Sequence, residues 1–508
     1  MNMKILHNIS LHYLSPRKTL AVSLALLLGG CMVGPDYQRP QVKLPTQFKE
    51  LPGWTAATPS AADIPKGNWW SAFHDPLLDQ LEPLVSVSNQ TVQQDYANYQ
   101  QALAEVQVAR SGLFPTLGIT GSGNKQRSAS SSLSSSRAIN TSPISTSGSL
   151  EGNVSWAPDL WGKVRRTVEE NKATAQASAA TLANATLSEQ TALATAVIEL
   201  RVSDANIDLL QKTVDAYKES LRVVANQGAA GTTPPSDVIS ARTQLENAQS
   251  SLIALGVARA QYAHAIAVLV GKNPEELDIP HNATLPTLPD VPTGMPSTLL
   301  ERRPDIAIAE RQMAAQNAAI GVAVAAYYPS LSLSAADGFS QSPLAGLLHI
   351  ANHVWSLGAD VSETVFDGGQ RHGEVAAAKA AYEGAVANYR GSVLTALQNV
   401  EDDLSGLRIL AQQAEVQEAA VRDATRGAEI ALNEYQAGTV DYTTAATAEA
   451  TQLSTEQNAL SVRQQRLLDT VSLIGDLGGG WTSKELDDAA KASAAATMQS
   501  SSSDPGHG

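Results

Sequence analysis

The stretch from Lys163 to Asn226 contains neither proline nor glycine, the two residues that most often end a helix. At 1.5 Å per residue, about 64 residues of unbroken helix span roughly 95 Å, about three times the diameter of a small domain. Apolar residues recur in its second half, mostly at spacings of three and four: Leu193, Val197, Leu200, Ile207, Leu210, Val214, Tyr217, Leu221 and Val224. This spacing is typical of a left-handed heptad seam, and a plain coiled-coil stalk is one interpretation of it.

A second run with the same spacing occupies residues 393–435 and belongs to an internal duplication. Residues 113–117 match residues 327–331, both with a central Pro, at an offset of 214. The tripeptide Ala-Gly-Thr at 230–232 recurs at 437–439, at an offset of 207. Copies this long are two halves of one protein rather than solenoid repeats.

Each half is also predicted to contain one β-hairpin, over 115–157 and 329–366. Apolar side chains alternate with small or polar ones in all four strands, and the apolar members include Leu117, Ile119, Leu150, Val154, Leu331, Leu333, Leu357 and Val361. The alternation suits a membrane-spanning barrel with a wet lumen, and equally a sandwich strand with one face in water. Aromatic residues at strand ends, such as Trp156 and Trp355, and the serine-rich stretch from Ser128 to Thr146 favour the membrane, since they suit an interfacial girdle and an extracellular loop.

The N-terminus predicts a lipoprotein signal peptide over residues 1–30. A basic segment precedes an apolar run too short to span a bilayer, and the run ends in Leu28-Gly29-Gly30-Cys31. Cys31 is the only cysteine of the chain, so its thiol is the predicted lipidation site. The alternative is an ordinary signal peptide with a chance cysteine. Met32 follows in place of the Asp that retains lipoproteins at the inner membrane, which favours the outer membrane.

Composition argues against several other functions. The net charge of −15 and the lack of a basic stripe argue against nucleic acid as a partner. No transmembrane helix is predicted in the mature chain, because the best candidate, 252–270, is interrupted by Arg259 and His264. No catalytic, cofactor or metal site is predicted: His349 and His353 are four residues apart but lack the glutamate of a zinc-protease motif.

Several motifs, in a fixed order, carry a resemblance to a known family. They are Gly34-Pro35-Asp36-Tyr37, Pro40, Trp69-Trp70, Phe73, Asp75-Pro76, Leu78, Leu299-Leu300-Glu301-Arg302-Arg303-Pro304-Asp305-Ile306, Ile320-Gly321-Val322, Tyr328-Pro329-Ser330-Leu331 and Phe366-Asp367-Gly368-Gly369. The chain resembles the TolC-like outer-membrane factors, in particular their NodT-type lipoprotein branch. The resemblance covers almost the whole mature chain.

This resemblance implies the outer-membrane channel of a tripartite efflux pump, lipid-anchored and extending into the periplasm. The implied fold is mainly α with a small β part. Long heptad helices form a periplasmic α-barrel, and four strands per chain contribute to a trimeric transmembrane β-barrel of about twelve strands. The implied partners are two further copies of the chain in a homotrimer, a periplasmic adaptor (membrane fusion protein), an inner-membrane pump of the resistance-nodulation-division type, and outer-membrane lipid.

The resemblance also implies that the adaptor docks at the helical-hairpin tips, around Gly231-Thr232 and Gly438-Thr439. Simple helix termination is the other interpretation of those glycines. Many relatives carry aspartates just after the second tip, whereas Thr447 stands at that place here. The candidate gate residues are therefore Thr447 and two nearby acids, Asp237 and Asp441; Glu449 is a third acid close to the tip. In a trimer each acid would form a ring of three charges, unless it is only a solvated helix-start charge.

The predicted organisation is a signal peptide (1–30), a lipid-anchored N-terminal and equatorial segment (31–88), a first repeat (89–272), a linker (273–296), a second repeat (297–480) and a disordered tail (481–508). Two other functions remain open: a duct for type I protein secretion, and a coiled-coil adaptor lipoprotein that forms no pore. The four amphipathic strands argue against the adaptor, and the motif set favours small-molecule efflux over protein secretion.

Overall fold

The computed structural model describes residues 32–41, 44–45, 47–50, 68–127, 144–289 and 302–482. The predicted signal peptide, Cys31, most of the predicted loop between the first two strands and residues 483–508 lie outside this part of the chain. Of the predicted tail, Trp481 is described, and its side chain packs against Ala180 and Ala307.

The elements follow one another in the order α-helices, strands, long helices, twice over. They are a short 3-10 helix (Trp69–Phe73), α1 (Pro76–Ser88), α2 (Gln90–Ser111), β1 (Thr116–Arg127), β2 (Ile144–Trp156), α3 (Lys163–Ala229), α4 (Pro235–Leu269), a 3-10 turn (Pro274–Glu276), α5 (Pro304–Ala325), β3 (Ser330–Gln341), a 3-10 turn (Ile350–Asn352), β4 (His353–Ser362), α6 (Gln370–Gln436) and α7 (Tyr442–Asp476). Strand β2 begins earlier than predicted, because residues 144–146 of the expected loop already pair with β1.

The two halves contain elements of matched length. Helices α3 and α6 each have 67 residues, and α4 and α7 each have 35. Their starting residues, 163 and 370 and then 235 and 442, both differ by 207. Helices α2 and α5 each have 22 residues, β1 and β3 each have 12, and both pairs are offset by 214. The element bounds therefore reproduce both offsets seen in the sequence.

Among the described residues, the four strands form one antiparallel sheet in the order β1-β2-β3-β4. Directly paired residues share a face, so an apolar row runs across the sheet through Leu117, Val154, Ala335 and Leu357. The next row, on the opposite face, is small or polar: Gly118, Asn153, Ala336 and Ser356. Leu117 is 81% exposed and Leu357 is 76% exposed. The sheet thus has an open apolar face and, in the described chain, unpaired outer edges on β1 and β4.

The chain divides into two compact units. The first comprises Met1–Arg39, Ala102–Ala175 and Gln312–Val386, and the second comprises Pro40–Gln101, Gln176–Arg311 and Ala387–Gly508. The first unit contains the sheet, and its helical part packs through small residues such as Ala173, Ala314 and Ala315. The second unit has a larger core, in which α3 and α6 bury the predicted heptad positions, among them Leu193, Val197, Leu200, Val393, Val400 and Leu404.

By length and composition alone, one helix in the described part of the chain, α4, could cross a membrane. Its most apolar window has a mean hydropathy of 1.5 and is 11% buried. A single such helix is weak evidence for a membrane span. Arg259 of this helix also forms an ion pair with Asp204 of α3, which is fully buried, at 2.6 Å. We therefore assign α4 to the packed helices of the second unit.

Candidate functional site

The two helical-hairpin tips are built by the same backbone device. Gly231 and Gly438 adopt left-handed φ angles of 72° and 75°. The next residue, Thr232 or Thr439, returns its amide to a carbonyl five residues earlier, at 2.9 Å and 3.0 Å respectively. Each threonine hydroxyl also donates to that same carbonyl. This geometry is a helix C-terminal cap, so helix termination explains why both copies keep Gly-Thr.

The structure brings the two tips together in a contact that we call the tip seam, formed between the α3–α4 hairpin and the α6–α7 hairpin. The hydroxyl of Tyr435 donates to Gln227 at 2.5 Å, and that of Tyr442 donates to Gln244 at 3.2 Å. Around these bonds lies a small apolar cluster: Val224, Ala241, Tyr435, Tyr442 and Ala445. Residues about 200 positions apart thus meet through both apolar contact and directional hydrogen bonds.

The two candidate gate acids occupy different environments. Asp441 is the exposed N-cap of α7, and its carboxylate accepts from the amide and the hydroxyl of Thr444 at 2.9 Å and 2.7 Å. These bonds, above all the one from the hydroxyl, lower the pKa of Asp441. Asp237 lies in the first turn of α4 and accepts from Thr233 at 3.0 Å. Both acids therefore have a helix-start role of their own.

Thr447 lies one turn further along α7, on an exposed face. Its hydroxyl donates to the carbonyl of Thr443 at 2.7 Å. It lines a groove of about 470 Å³ between α6 and α7, whose walls are Ala424, Gly427, Ala428, Asp441, Thr443, Thr444, Ala448 and Thr451. The groove wall is made of small uncharged side chains except for Asp441. Because these side chains are small, a neighbouring helix could pack closely against this groove.

Sequence reasoning named Glu449 only as a nearby acid, yet it is the carboxyl most closely tied to the seam. Ser220 of α3 donates to its Oε1 at 3.3 Å, while Oε2 is buried without a hydrogen-bond partner. Burial raises the pKa of Glu449, and the bond from Ser220 opposes that rise. Sequence reasoning predicted no role for the neighbouring Tyr435 and Tyr442 either. The sequence signal for them is weak: two aromatic residues stand beside a turn, in a chain with 5% aromatic residues.

A second site holds the residues that follow Cys31. We call residues 32–37 the tether. The buried guanidinium of Arg166 donates to the carbonyls of Val33 and Gly34, both at 3.2 Å, and to Asp36 at 2.8 Å. Asn317 adds a bond to the carbonyl of Pro35 at 3.0 Å. The Gly-Pro-Asp motif after the predicted lipidation site is therefore held by a specific polar cradle.

The other family motifs also form buried anchors. Asp75 caps α1 and forms an ion pair with Arg201 of α3 at 2.9 Å, with both side chains about 5% exposed or less. Arg303 bridges Asp305 and Asp476, with both distances 2.7 Å. These contacts lie within the second unit, where they fix short segments against the long helices.

The start of α6 explains the Asp367-Gly368-Gly369 motif. Both glycines have left-handed φ angles, 64° and 94°. The carboxylate of Asp367 accepts from the side chain of Arg371 and from the amide of Gly369, and these bonds lower its pKa to about 2. The motif is a helix-start device.

The described residues contain no group of three or more His, Cys, Asp or Glu side chains that could hold a metal ion. His353, one member of the pair noted in the sequence, is the first residue of β4 and bonds Asp337 across the sheet at 2.8 Å. His349 lies in the preceding loop, where it precedes a 3-10 turn.

A two-faced sheet with an exposed apolar side, in the same chain as two very long helical hairpins that meet at their tips, defines a channel protein of the helical outer-membrane type. The chain is similar to efflux pump outer membrane proteins of Pseudomonas putida. It is 29% identical over 464 residues to the probable efflux pump outer membrane protein TtgC, across 91% of this chain and 95% of that one. It is 30% identical over 478 residues to the solvent efflux pump outer membrane protein SrpC, across 92% and 98%.

A solved structure, that of the outer-membrane channel OprN, matches with a TM-score of 0.81 at 28% identity, across 89% of this chain and 100% of that one. The chain belongs to the outer membrane efflux protein family, whose model matches residues 83–272 and 295–479. It is an outer-membrane efflux channel component with a mainly α fold and a small β part. The predicted fold class, function and location are confirmed, and the family is one of channels rather than of enzymes.

Proposed function

We propose that three copies of the chain form a homotrimeric channel that passes small molecules out of the cell. The observation that carries this proposal is the open sheet. In hydrocarbon every backbone polar group needs a partner, yet β1 and β4 each leave one edge unpaired within the described chain. Four strands are too few to close a barrel, since about eight are needed. Three copies pairing β1 with β4 would close a barrel of about twelve strands.

The helices support the same assembly. Helix α4 leaves apolar side chains exposed in the single chain, among them Ile239, Ile253 and Val257. Helix α6 does the same with Leu394, Val416 and Ile430. Exposed apolar rows of this kind on long helices call for neighbouring helices. In the trimer, α3, α4, α6 and α7 of neighbouring copies would pack side by side as a periplasmic tube.

Membership of the family supports the partners that we assign. We assign this chain a periplasmic adaptor and an inner-membrane pump of the resistance-nodulation-division type. The adaptor would dock at the exposed tip turns, around Gly231-Thr232 and Gly438-Thr439. The pump would select the substrate and supply the energy. Cys31 would carry the lipid anchor in the outer membrane.

The decisive experiment combines assembly, conduction and efflux. The full-length lipidated protein, purified in mild detergent, should migrate as a trimer and conduct ions in a planar bilayer. In cells lacking the native gene, the wild type should restore resistance to small toxic compounds. Gly438→Phe should abolish that resistance while the trimer persists, because a bulky residue at positive φ distorts the docking turn.

Gly384→Ala is the control, since an added methyl group there meets nothing within 4 Å and the residue lies away from the tips. A monomeric species that never conducts would support the adaptor alternative. Export of a protein substrate without any change in drug resistance would support the secretion duct.

A further inference from the structure

Glu449 sits where the two tip hairpins face each other. It projects from α7 toward Ser220 of α3, and among the described residues that hydroxyl is the only group that donates a hydrogen bond to its carboxyl. The amides nearest to the seam are already engaged, since Gln244 accepts from Tyr442 and donates to the carbonyl of Ala446 at 3.4 Å. The carboxyl is thus enclosed with one of its two oxygens unpaired.

The titratable groups around Glu449 offer it no positive charge. Burial raises the pKa of the Tyr217 phenol of α3 and of the Tyr442 phenol of α7, and the charge of the nearby Glu449 adds to both rises. Tyr435 of α6 and Asp237 of α4 lie near Tyr442, and both carry no positive charge. Within the described part of the chain, no Lys, Arg or His side chain comes within ion-pair distance of Glu449. Apart from the bond that Ser220 donates, an ionised Glu449 could be stabilised only by water.

Water can reach Oε2 only if the hairpins move apart, because that atom is buried in the closed seam. A protonated carboxyl needs no such hydration, and it can donate its proton to a neighbouring oxygen. On the basis of the proposed function, in which the tips form the narrow end of the channel, we propose that Glu449 is a proton-sensitive latch. Protonation holds the tip seam closed, and ionisation loosens it.

The sign follows from linkage. The closed seam favours the protonated form, so it is stabilised at pH values below the ordinary pKa of a glutamate, about 4.5. That stabilisation is lost as pH rises through the raised pKa of the closed state. Each carboxyl can change the open-to-closed ratio by up to about tenfold per pH unit. Three copies in a trimer would make the response steeper.

The test is single-channel recording of the full-length trimer in planar bilayers from about pH 5 to about pH 8, upward from the ordinary pKa of a glutamate. The open-to-closed ratio of the wild type should rise with pH. Glu449→Gln should stay near the acidic wild-type value at every pH. Glu434→Gln is the matched control, since it removes an exposed carboxylate from the same hairpin, and it should follow the wild type.

Ser220→Ala provides an independent variant. Its hydroxyl stabilises the ionised form, so its removal should move the transition to higher pH without abolishing it. A wild type without pH response, or a Glu449→Gln channel that keeps the full slope, would overturn the latch.

Spin labels on Thr232→Cys and Thr439→Cys separate this outcome from a failure of the channel function. Their distance distribution should broaden with pH in a way that Glu449→Gln abolishes, whether or not the protein conducts. Labels that report the same distances at every pH would also overturn the latch.

Discussion

Gly34 and Gly321 meet backbone to backbone: a β-carbon added to Gly34 would lie 2.5 Å from the Cα of Gly321. Gly34 also has a φ of 91°, which only glycine adopts readily. On its other side, Gly321 faces Arg166, the residue that holds the tether. Gly34 and Gly321 belong to two motifs that lie nearly 300 residues apart in the sequence. Both positions need glycine for the same reason, which is that the tether packs closely against α5.

Gly321→Ala should release the tether. The added methyl group would lie 2.8 Å from three side-chain atoms of Arg166, so the guanidinium must move and lose its bonds to the tether carbonyls. We expect a loss of about 1–3 kcal/mol, as for other overpacked sites. Limited proteolysis should cut within residues 32–50 faster than in the wild type. Gly384→Ala, on open helix surface, should leave the cutting rate unchanged.

Replacing only one partner of the ion pair between Asp75 and Arg201 should lower the stability of the fold. Arg201→Met leaves a buried carboxylate uncompensated, which costs about 3–5 kcal/mol. Asp75→Ser with Arg201→Met removes both charges, while the serine can still accept the bond from the amide of Leu77. The double variant should therefore recover most of the loss in thermal unfolding. Equal destabilisation of single and double variants would mean that packing, not charge, dominates at this site.

The buried position of Glu82 predicts that the stability of the folded protein depends on pH. It lies on α1 between two contacts with α3, Asp75 with Arg201 and Asn89 with Glu189. Its side chain is fully buried, and neither carboxylate oxygen has a hydrogen-bond partner among the described residues. Burial raises its pKa to about 9. The fold therefore favours the protonated form.

Because the folded-state pKa lies above the unfolded value, this stability is fully present below about pH 4.5 and is lost as pH rises toward 9. Between about pH 5 and pH 8 the loss is roughly 4 kcal/mol. Glu82→Gln should flatten the dependence and stabilise the protein at pH 8, as measured by thermal unfolding in detergent. The control is Asp79→Asn, an exposed acid of the same helix. A Glu82→Gln protein with the wild-type slope would contradict the assignment.

Asp441 should influence selectivity more than opening. Asp441→Asn removes the charge and keeps an oxygen that can accept from the amide of Thr444. Reversal potentials in bilayers should show lower cation preference with little change in open probability, because rings of like charge repel and do not hold a tube shut. Asp441→Ala also removes the cap and should destabilise the tip by about 1 kcal/mol. A fully open pore from Asp441→Asn would show that this charge does hold the tip closed.

Cys31→Ser should abolish lipid attachment, since the chain has no other thiol. Metabolic labelling with radioactive palmitate should mark the wild type and not the Cys31→Ser protein. Met32→Ser, which alters the neighbouring residue and not the thiol, should label normally. Label retained by the Cys31→Ser protein would disprove the lipidation site.

The elements were largely predictable because their signals are local. Helix α3 is readable from 64 residues without a breaker, and strands such as β1 from their alternation. The duplication could be read from two constant offsets, and the helix and strand bounds reproduce both. Gly231 and Gly438 could be recognised as turn residues because glycine is the residue that most readily adopts a left-handed φ angle.

The contacts between distant segments could not be predicted in this way. Ser220 is one of many serines in the sequence, and nothing local connects it with Glu449 across 229 positions. The partnership of Gly34 with Gly321 is likewise invisible until the chain is folded, although each residue stood in a recognised motif. Side-chain partnerships between separate helices depend on helix rotation and register, which periodicity determines only to within a residue or two.

The Gly-Thr turns are the same in both copies, but the residues that join them are not. Tyr435 and Tyr442 have no aromatic counterpart in the first half, where the offset of 207 leads to Gly228 and Pro235. One copy provides the phenols and the other the amides that receive them. The two halves have thus become complementary rather than interchangeable. Two hairpins of the same half could not form this pair of hydrogen bonds, since neither half provides both the phenols and the amides at these positions.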